Sequence, residues 1–231
     1  MTEPGGVAAP AGGAALPARP KAVIFDWDNT LVESWPAIHA ALALTFERYG
    51  LKAWTFEQTK QRVRKSMRES FPPLFGERWE EAGAFFREAF TSIHLDFLKP
   101  APDAEDMLAS LKARGLYLGV VSNKNGDVLR EEAAYLGWQG YFGRLVGAFD
   151  APRDKPAADP VHLALAGSGI VCGPEVWFAG DTDIDLECAV AAGCIPVLVR
   201  EEPPRNGEFD EIGPAHYVKG CLALSNLMLR L

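Results

Sequence analysis

Two carboxylates two residues apart close an apolar stretch near the start of the chain, Ala22-Val-Ile-Phe-Asp26-Trp-Asp28-Asn-Thr30-Leu31. Folding alone gives no reason to stack acids at the end of a hydrophobic strand, whereas ligands of open α/β sheets bind at those carboxyl ends. Three further polar clusters follow later apolar stretches: Ser122 and Asn123, then Lys155, then Asp181, Asp183 and Asp185. Parallel strands bring their carboxyl ends to one sheet edge, so the four clusters are expected to converge. Together they make a site of several carboxylates, one lysine and one hydroxyl. So many adjacent acids repel one another unless a cation compensates them, and an oxygen-rich shell suits Mg²⁺.

The elements that must position these residues can be read from the apolar pattern. Strands are predicted at Lys21–Phe25, Tyr117–Val121, Leu145–Ala148, Val176–Ala179 and Ile195–Val199, with His216–Val218 as a short edge strand. Most are continuously apolar, as strands covered on both faces should be. Helical stripes lie between the later ones: Met107, Leu108 and Leu111; Val161 and Leu165; Ile184, Cys188 and Ala192. Leu224, Leu227 and Met228 mark a closing helix. The result is an α/β protein with a three-layer, Rossmann-like parallel sheet core.

One interval breaks the rhythm. Between Thr30 and about Leu98 the chain offers helical stripes only: Ile38, Leu42, Phe46 and Tyr49; Phe56, Val63 and Met67; Ala82, Phe86, Phe90, Ile93 and Phe97. Ser34 is placed to cap the first helix and Gly50 to end it. A plain strand-to-helix connection needs only a few residues, so residues 33–98 are expected to form an inserted α-helical cap domain, placed to close over the site. Residues 21–32 and 99–231 then make the catalytic core. Residues 1–20, rich in Ala, Gly and Pro, read as a disordered leader with no signal-peptide core.

Bulk properties narrow the function classes. A chain of 231 residues with 48% hydrophobic and 23% charged residues can bury a large core. A formal charge of -8 disfavours nucleic acid or an anionic membrane as general partners. It leaves a small anionic substrate open, because lysine and metal can reverse the field inside a cleft. No stretch approaches the roughly 20 apolar residues of a membrane span. Cys172, Cys188, Cys194 and Cys221 lack zinc-like grouping and read as core thiols of a reducing, cytoplasmic compartment.

Phe-Asp26-Trp-Asp28-Asn-Thr30-Leu, Val-Ser122-Asn123-Lys, Asp-Lys155-Pro and Gly180-Asp181-Thr-Asp-Ile-Asp185 resemble, in order and spacing, the four motifs of the haloacid-dehalogenase-like phosphohydrolases. The nearest likeness is to phosphoglycolate-phosphatase-like members with a small helical cap. The resemblance implies Mg²⁺-dependent hydrolysis of a small phosphate monoester through an aspartyl-phosphate. Asp26 would be the nucleophile and a metal ligand. Asp28 would be the general acid and then the base, its backbone carbonyl on the metal. Thr30 would place Asp28 or the phosphoryl oxygens, and Ser122 and Asn123 would cradle the phosphate. Lys155 would neutralise charge on Asp26 and on the phosphoryl group. Asp181 would bind Mg²⁺ directly, and Asp185 would do so through water or orient Lys155. An acid two residues after the nucleophile separates such phosphatases from the dehalogenases, whose halide leaving group needs no proton. Asn29, where many members have Gly, tolerates left-handed backbone, and Trp27 is expected to pack away from the ligand.

The leaving group is less legible. Arg62, Arg64, Lys65 and Arg68 form a basic run in the insert, read either as a solvated helix face or as the grip on a second anionic group; His39 is a further specificity candidate. A phosphosugar mutase, or a binding module without turnover, remain alternatives on the same core. Either a monomer or a homodimer is compatible with the aromatic insert.

Overall fold

The computed structural model describes residues 19–63 and 67–231, so residues 1–18 of the expected leader lie outside it. Its core is an all-parallel six-stranded sheet in the order β3-β2-β1-β4-β5-β6. The strands are β1 (Ala22–Phe25), β2 (Tyr117–Asn125), β3 (Arg144–Ala148), β4 (Val176–Gly180), β5 (Ile195–Val199) and β6 (His216–Val218). This is the doubly wound order, in which the chain reverses its direction of travel beside β1. The crevice that such a reversal opens at the strand ends is where ligands of these sheets bind.

Alternation along β1 explains the three layers. Val23 and Phe25 face one side, packing with Met107, Leu108 and Leu111 of α6 (Ala104–Ala113), Leu129 and Ala133 of α7 (Gly126–Tyr135), and Leu224 and Met228 of α10 (Gly220–Leu229). Ala22 and Ile24 face the other, against Val161 and Leu165 of α8 (Asp159–Leu165) and Cys188 and Ala189 of α9 (Asp183–Ala191). The α/β core and its parallel sheet are as expected. One strand differs: β2 runs past Val121 to Asn125, its register against β3 shifting between those residues. Lys and Asn have little intrinsic strand preference; pairing of Asn125 with Ala148 carries them. The Asn125 side chain then caps α7, accepting from Asp127 and Val128 N–H.

Helices α1 (Trp35–Arg48), α2 (Phe56–Arg62), α3 (Met67–Ser70), α4 (Pro72–Phe75) and α5 (Trp79–Phe97) occupy the insert. Leu42, Phe46, Phe71, Phe75 and Ala82 form their separate apolar core, on which Ile38, Tyr49 and Phe86 pack. Gly50 follows α1 with φ of +67°, the left-handed stop that glycine permits. The lower end of the α5 stripe departs from expectation. Phe97 is exposed, while His94 is buried and turned toward the sheet domain. The chain leaves and rejoins the core side by side, for Val32 bridges Pro100, and Glu33 N–H donates to the Lys99 carbonyl at 2.8 Å. Among the described residues no helix is long and apolar enough to cross a membrane.

The path from β3 past α7 depends on a bare backbone. A Cβ on Gly147 would lie 2.3 Å from the Gly126 Cα and 2.6 Å from its nitrogen, atoms that cannot swing aside. Gly147→Ala is therefore expected to destabilise the fold by about 1–3 kcal/mol, the usual range for overpacking, seen as a lowered Tm. Gly173→Ala, where nothing lies within 4 Å of the new carbon, should leave the Tm where it was. Equal melting of the two variants would contradict the tight crossing.

Candidate active site

β1 delivers the first acid. Asp26 N–H still donates to the Ala179 carbonyl at 2.8 Å, so the sheet ladder fixes the backbone of this residue. Its side chain is buried, with Oδ1 2.6 Å from Lys155 Nζ. The same ammonium lies 2.7 Å from Asp185 Oδ1. Asp185 reaches it from the first turn of α9, where its other oxygen accepts from Thr182 N–H and Oγ1 at 3.0 and 2.7 Å. Gly180 leaves the room for this, since a Cβ there would sit 2.3 Å from the Asp185 Cγ. Asp181, at the end of β4, completes the cluster. Asp26, Asp181 and Asp185 each offer a carboxylate oxygen within 4.8 Å of the others. Asp183, by contrast, is exposed, and its carboxylate accepts from the neighbouring Ile184 N–H.

The electrostatics follow from crowding. Burial pushes the Asp26 carboxyl up to about 7 against the pull of Lys155, and the charges of Asp185 and Asp28 add to the rise. Desolvation and then the Asp185 and Asp26 charges raise Asp181 well above the usual carboxylate range. Desolvation pulls the Lys155 ammonium down, but Asp185 and Asp26 outweigh it and the group is held above its ordinary value. Three carboxylates against one ammonium leave a surplus of two negative charges, which one divalent cation would cancel. An all-oxygen donor set of this kind fits Mg²⁺.

Two residues expected beside the phosphate are engaged with neighbouring protein groups. The Asn123 side chain closes a two-way clamp on the Lys155 backbone, donating to its carbonyl and accepting from its N–H, each at 3.1 Å. It therefore places the lysine. The Thr30 hydroxyl reaches Asp181 Oδ1 at 3.5 Å rather than Asp28. Ser122 is buried within β2, one residue past Val121, with its oxygen accepting from Lys124 N–H at 3.2 Å.

Asp28 sits on the other side of the loop in surroundings of its own. The Ser34 hydroxyl donates to Oδ1, and Lys124 Nζ reaches the same oxygen at 2.7 Å. Ser34 stands at the N-terminus of α1, yet its hydroxyl does not cap that helix, having been drawn to the acid instead. Asn29 between them takes φ of +60°, as its residue type allows, and its side chain accepts from Ser34 N–H. Trp27 is fully buried, away from the cleft, with its ring edge against Trp138. Burial pulls Lys124 down, but Asp28 and Glu132 beside it hold its ammonium above the ordinary value.

Lys124, Glu132 and His94 were not singled out by sequence reasoning as members of one group. A signal existed for two of them. Lys124 follows directly on Ser122 and Asn123, and Glu132 falls on the stripe of Leu129 and Ala133 that buries α7, where an acid needs a partner. His94 gave no such sign.

Of the specificity candidates, Arg62 lines the cleft and stacks on Trp54, 5.1 Å from the ring centre. His39 is engaged inside the cap, its Nδ1 2.9 Å from Thr59 Oγ1 and its ring edge-on to Phe56. Arg64, Lys65 and the side chain of Arg68 lie outside the described residues.

Residues 23–199 match the haloacid dehalogenase-like hydrolase family. The chain is 30% identical to the phosphoglycolate phosphatase of Neisseria meningitidis serogroup A, over 78% of this chain and 80% of that protein. It is similar to the solved structure of a HAD-superfamily hydrolase from Ehrlichia chaffeensis, with 28% identity, a TM-score of 0.66, and 92% and 98% of the two chains covered. A haloacid dehalogenase-like family hydrolase from Streptococcus pneumoniae shares the fold at 21% identity and a TM-score of 0.79, over 89% and 97% of the chains. With its acids, lysine and hydroxyl gathered at the strand ends, this chain belongs to the haloacid dehalogenase-like hydrolases.

Proposed function

We propose that the protein is a Mg²⁺-dependent phosphatase of a small phosphorylated metabolite, with 2-phosphoglycolate as the first substrate to test. The observation that carries this reading is the group of buried Asp26, Asp185 and Lys155 with half-buried Asp181, and a second acid, Asp28, held apart on its own lysine. Asp26, Asp181 and Asp185, with the Asp28 carbonyl, would hold the cation, which when bound supplies charge compensation for the phosphoryl oxygens. Asp26 attacks phosphorus through a carboxylate oxygen, the ester P–O bond breaks, and the leaving oxygen takes its proton from the Asp28 carboxyl. Water then attacks the aspartyl-phosphate, giving a proton back to the Asp28 carboxylate as the acyl-phosphate P–O bond opens and Asp26 is restored. Lys155 stays charged throughout and balances the carboxylate and the transferring group, while the Ser122 hydroxyl donates to a phosphoryl oxygen. Phosphoglycolate is supported by the motif resemblance and by the 30% identity to the Neisseria phosphoglycolate phosphatase. Arg62 is the cap's partner for a second anionic group on the substrate.

The chemistry is checked by replacing Asp26 with Asn, which should bring kcat for any accepted phosphate ester below about a thousandth of the wild-type value, as loss of a nucleophile does elsewhere. Full activity in that variant would refute the mechanism. A panel of 2-phosphoglycolate, hexose phosphates and pyrophosphate, ranked by kcat/KM for phosphate release, assigns the leaving group. Interconversion of hexose phosphate isomers without release of phosphate would replace the phosphatase by a mutase.

The cation can be tested without turnover. A folded-state value of about 7 against 3.8 means that Asp26 holds its proton more tightly in the native protein. Metal-free stability should then fall as pH rises from about 4 to about 7, where the native carboxylate ionises against its neighbours. A cation needs the ionised form, so protons compete with it below pH 7. Millimolar Mg²⁺ should accordingly raise the Tm at pH 8 and do so much less at pH 5.5. No rise at either pH would remove the metal site, and equal rises would remove the proton competition.

A further inference from the structure

Glu132 takes no part in the phosphoryl chemistry, yet it is only 1% exposed. A carboxylate taken out of water is strongly unfavourable without partners, and here the partners are specific. Lys124 Nζ donates to both oxygens, at 2.8 and 2.7 Å. Trp27 Nε1 donates to Oε2 at 2.6 Å, and His94 Nδ1 lies 2.8 Å from Oε1. The three come from three places. Trp27 stands between the two acids of the β1 loop, Lys124 is on β2, and His94 is on the last helix of the insert.

Two of these contacts bear on Asp28. A lysine ammonium on a flexible stem has no direction of its own; the two-oxygen grip of Glu132 gives Lys124 one, and the ammonium then meets Asp28 Oδ1 at 2.7 Å. The indole bond to Trp27 ties down the backbone that separates Asp26 from Asp28. The third contact reaches outward. His94 is held between Glu132 and Glu131, whose Oε2 is 3.5 Å from Nε2, and it stacks on Phe90, itself 5.3 Å below the Lys124 ammonium. The last helix of the insert is thus bonded to the same carboxylate that aims the lysine of the second acid.

We infer that Glu132 is a positioning residue for Asp28, acting through Lys124 and Trp27, and that His94 makes this positioning depend on the seat of α5. The inference rests on the role proposed above for Asp28, donation of a proton to the leaving oxygen. Its signature is a dependence on the leaving group. In phenyl phosphate the departing oxygen is that of a phenol, with a pKa of about 10 as in tyrosine, and it needs the proton. In 2,4-dinitrophenyl phosphate, whose nitro groups make the phenol far more acidic, it departs as the anion. kcat/KM covers only the steps through this first P–O cleavage, so later hydrolysis of the aspartyl-phosphate drops out.

Both esters are to be assayed with the full-length wild-type protein in Mg²⁺ and with Glu132→Gln, His94→Leu and His94→Asn. Glu132→Gln should lower kcat/KM at least tenfold for phenyl phosphate and less than twofold for the dinitrophenyl ester. His94→Leu should shift the ratio of the two esters in the same direction, and His94→Asn, which keeps a polar nitrogen near Nδ1, should restore it. A role confined to folding would depress both esters in parallel, and that result, like no change at all, overturns the inference. If Glu132→Gln fails to fold, the ratio in His94→Leu against His94→Asn decides alone. A wild-type protein that cleaves neither ester overturns the phosphatase reading itself, whereas wild-type cleavage with an unmoved ratio overturns only the role of Glu132.

Discussion

An ammonium lodged between two carboxylates at the edge of a sheet is tolerable only if all three charges are held closely and their remaining hydrogen-bonding capacity is met. Lys155, Asp26 and Asp185 satisfy that condition, and much of the surrounding structure can be traced to it. The Lys155 backbone is clamped by Asn123. The second oxygen of Asp185 is taken up by Thr182 at the start of α9. Gly180 is bare because the Asp185 side chain occupies the space where a Cβ would be. Asp26 is still part of the β ladder when its side chain enters the site. Residues that look unrelated along the chain answer one electrostatic requirement.

The two acids of the first motif are chemically distinct because each has its own lysine. Asp26 shares Lys155 with Asp185 and lies among further acids, whereas Asp28 shares Lys124 with Glu132 and accepts from the Ser34 hydroxyl. Two carboxylates two residues apart can carry different tasks only when their environments differ. The division is made beyond the strand: β1 ends at Phe25, and the loop that follows carries Asp28 away to Lys124 and Ser34 while Asp26 stays beside Lys155. Trp27, between them, is sent into the core, and its indole is bonded there to Glu132.

Much of this was legible in advance. The core strands, the helical insert and the convergence of Asp26, Lys155, Asp181 and Asp185 follow from continuous apolar runs and from polar residues at their ends, signals that depend on local sequence. What escaped was set by contacts between distant segments. Asn123 and Thr30 carry groups that can hydrogen-bond almost anything, and only their neighbours in space decide that one clamps Lys155 and the other meets Asp181. The Ser34 hydroxyl looked like a helix cap because its position along the chain is that of a cap; a nearby carboxylate competed for it. His94 lies beside the apolar stripe of Ile93 and Phe97, and periodicity ranks a histidine below them, while its burial goes with its bond to Glu132.

The side-by-side arrangement of the two connections to the insert has a consequence for how such a protein can change. Val32 and Pro100 are already bridged, and Ala101 N–H donates to the Leu31 carbonyl at 2.8 Å, so the core is closed at this point whatever lies between. Sheet register imposes no length on the intervening chain. Helices there can be lengthened, shortened or exchanged for others without changing the register of the strands that carry the acids, so long as the bond from His94 to Glu132 is kept. Apart from that contact, the insert and the sheet domain are free to diverge at different rates, with the break between them falling at a single pair of neighbouring residues.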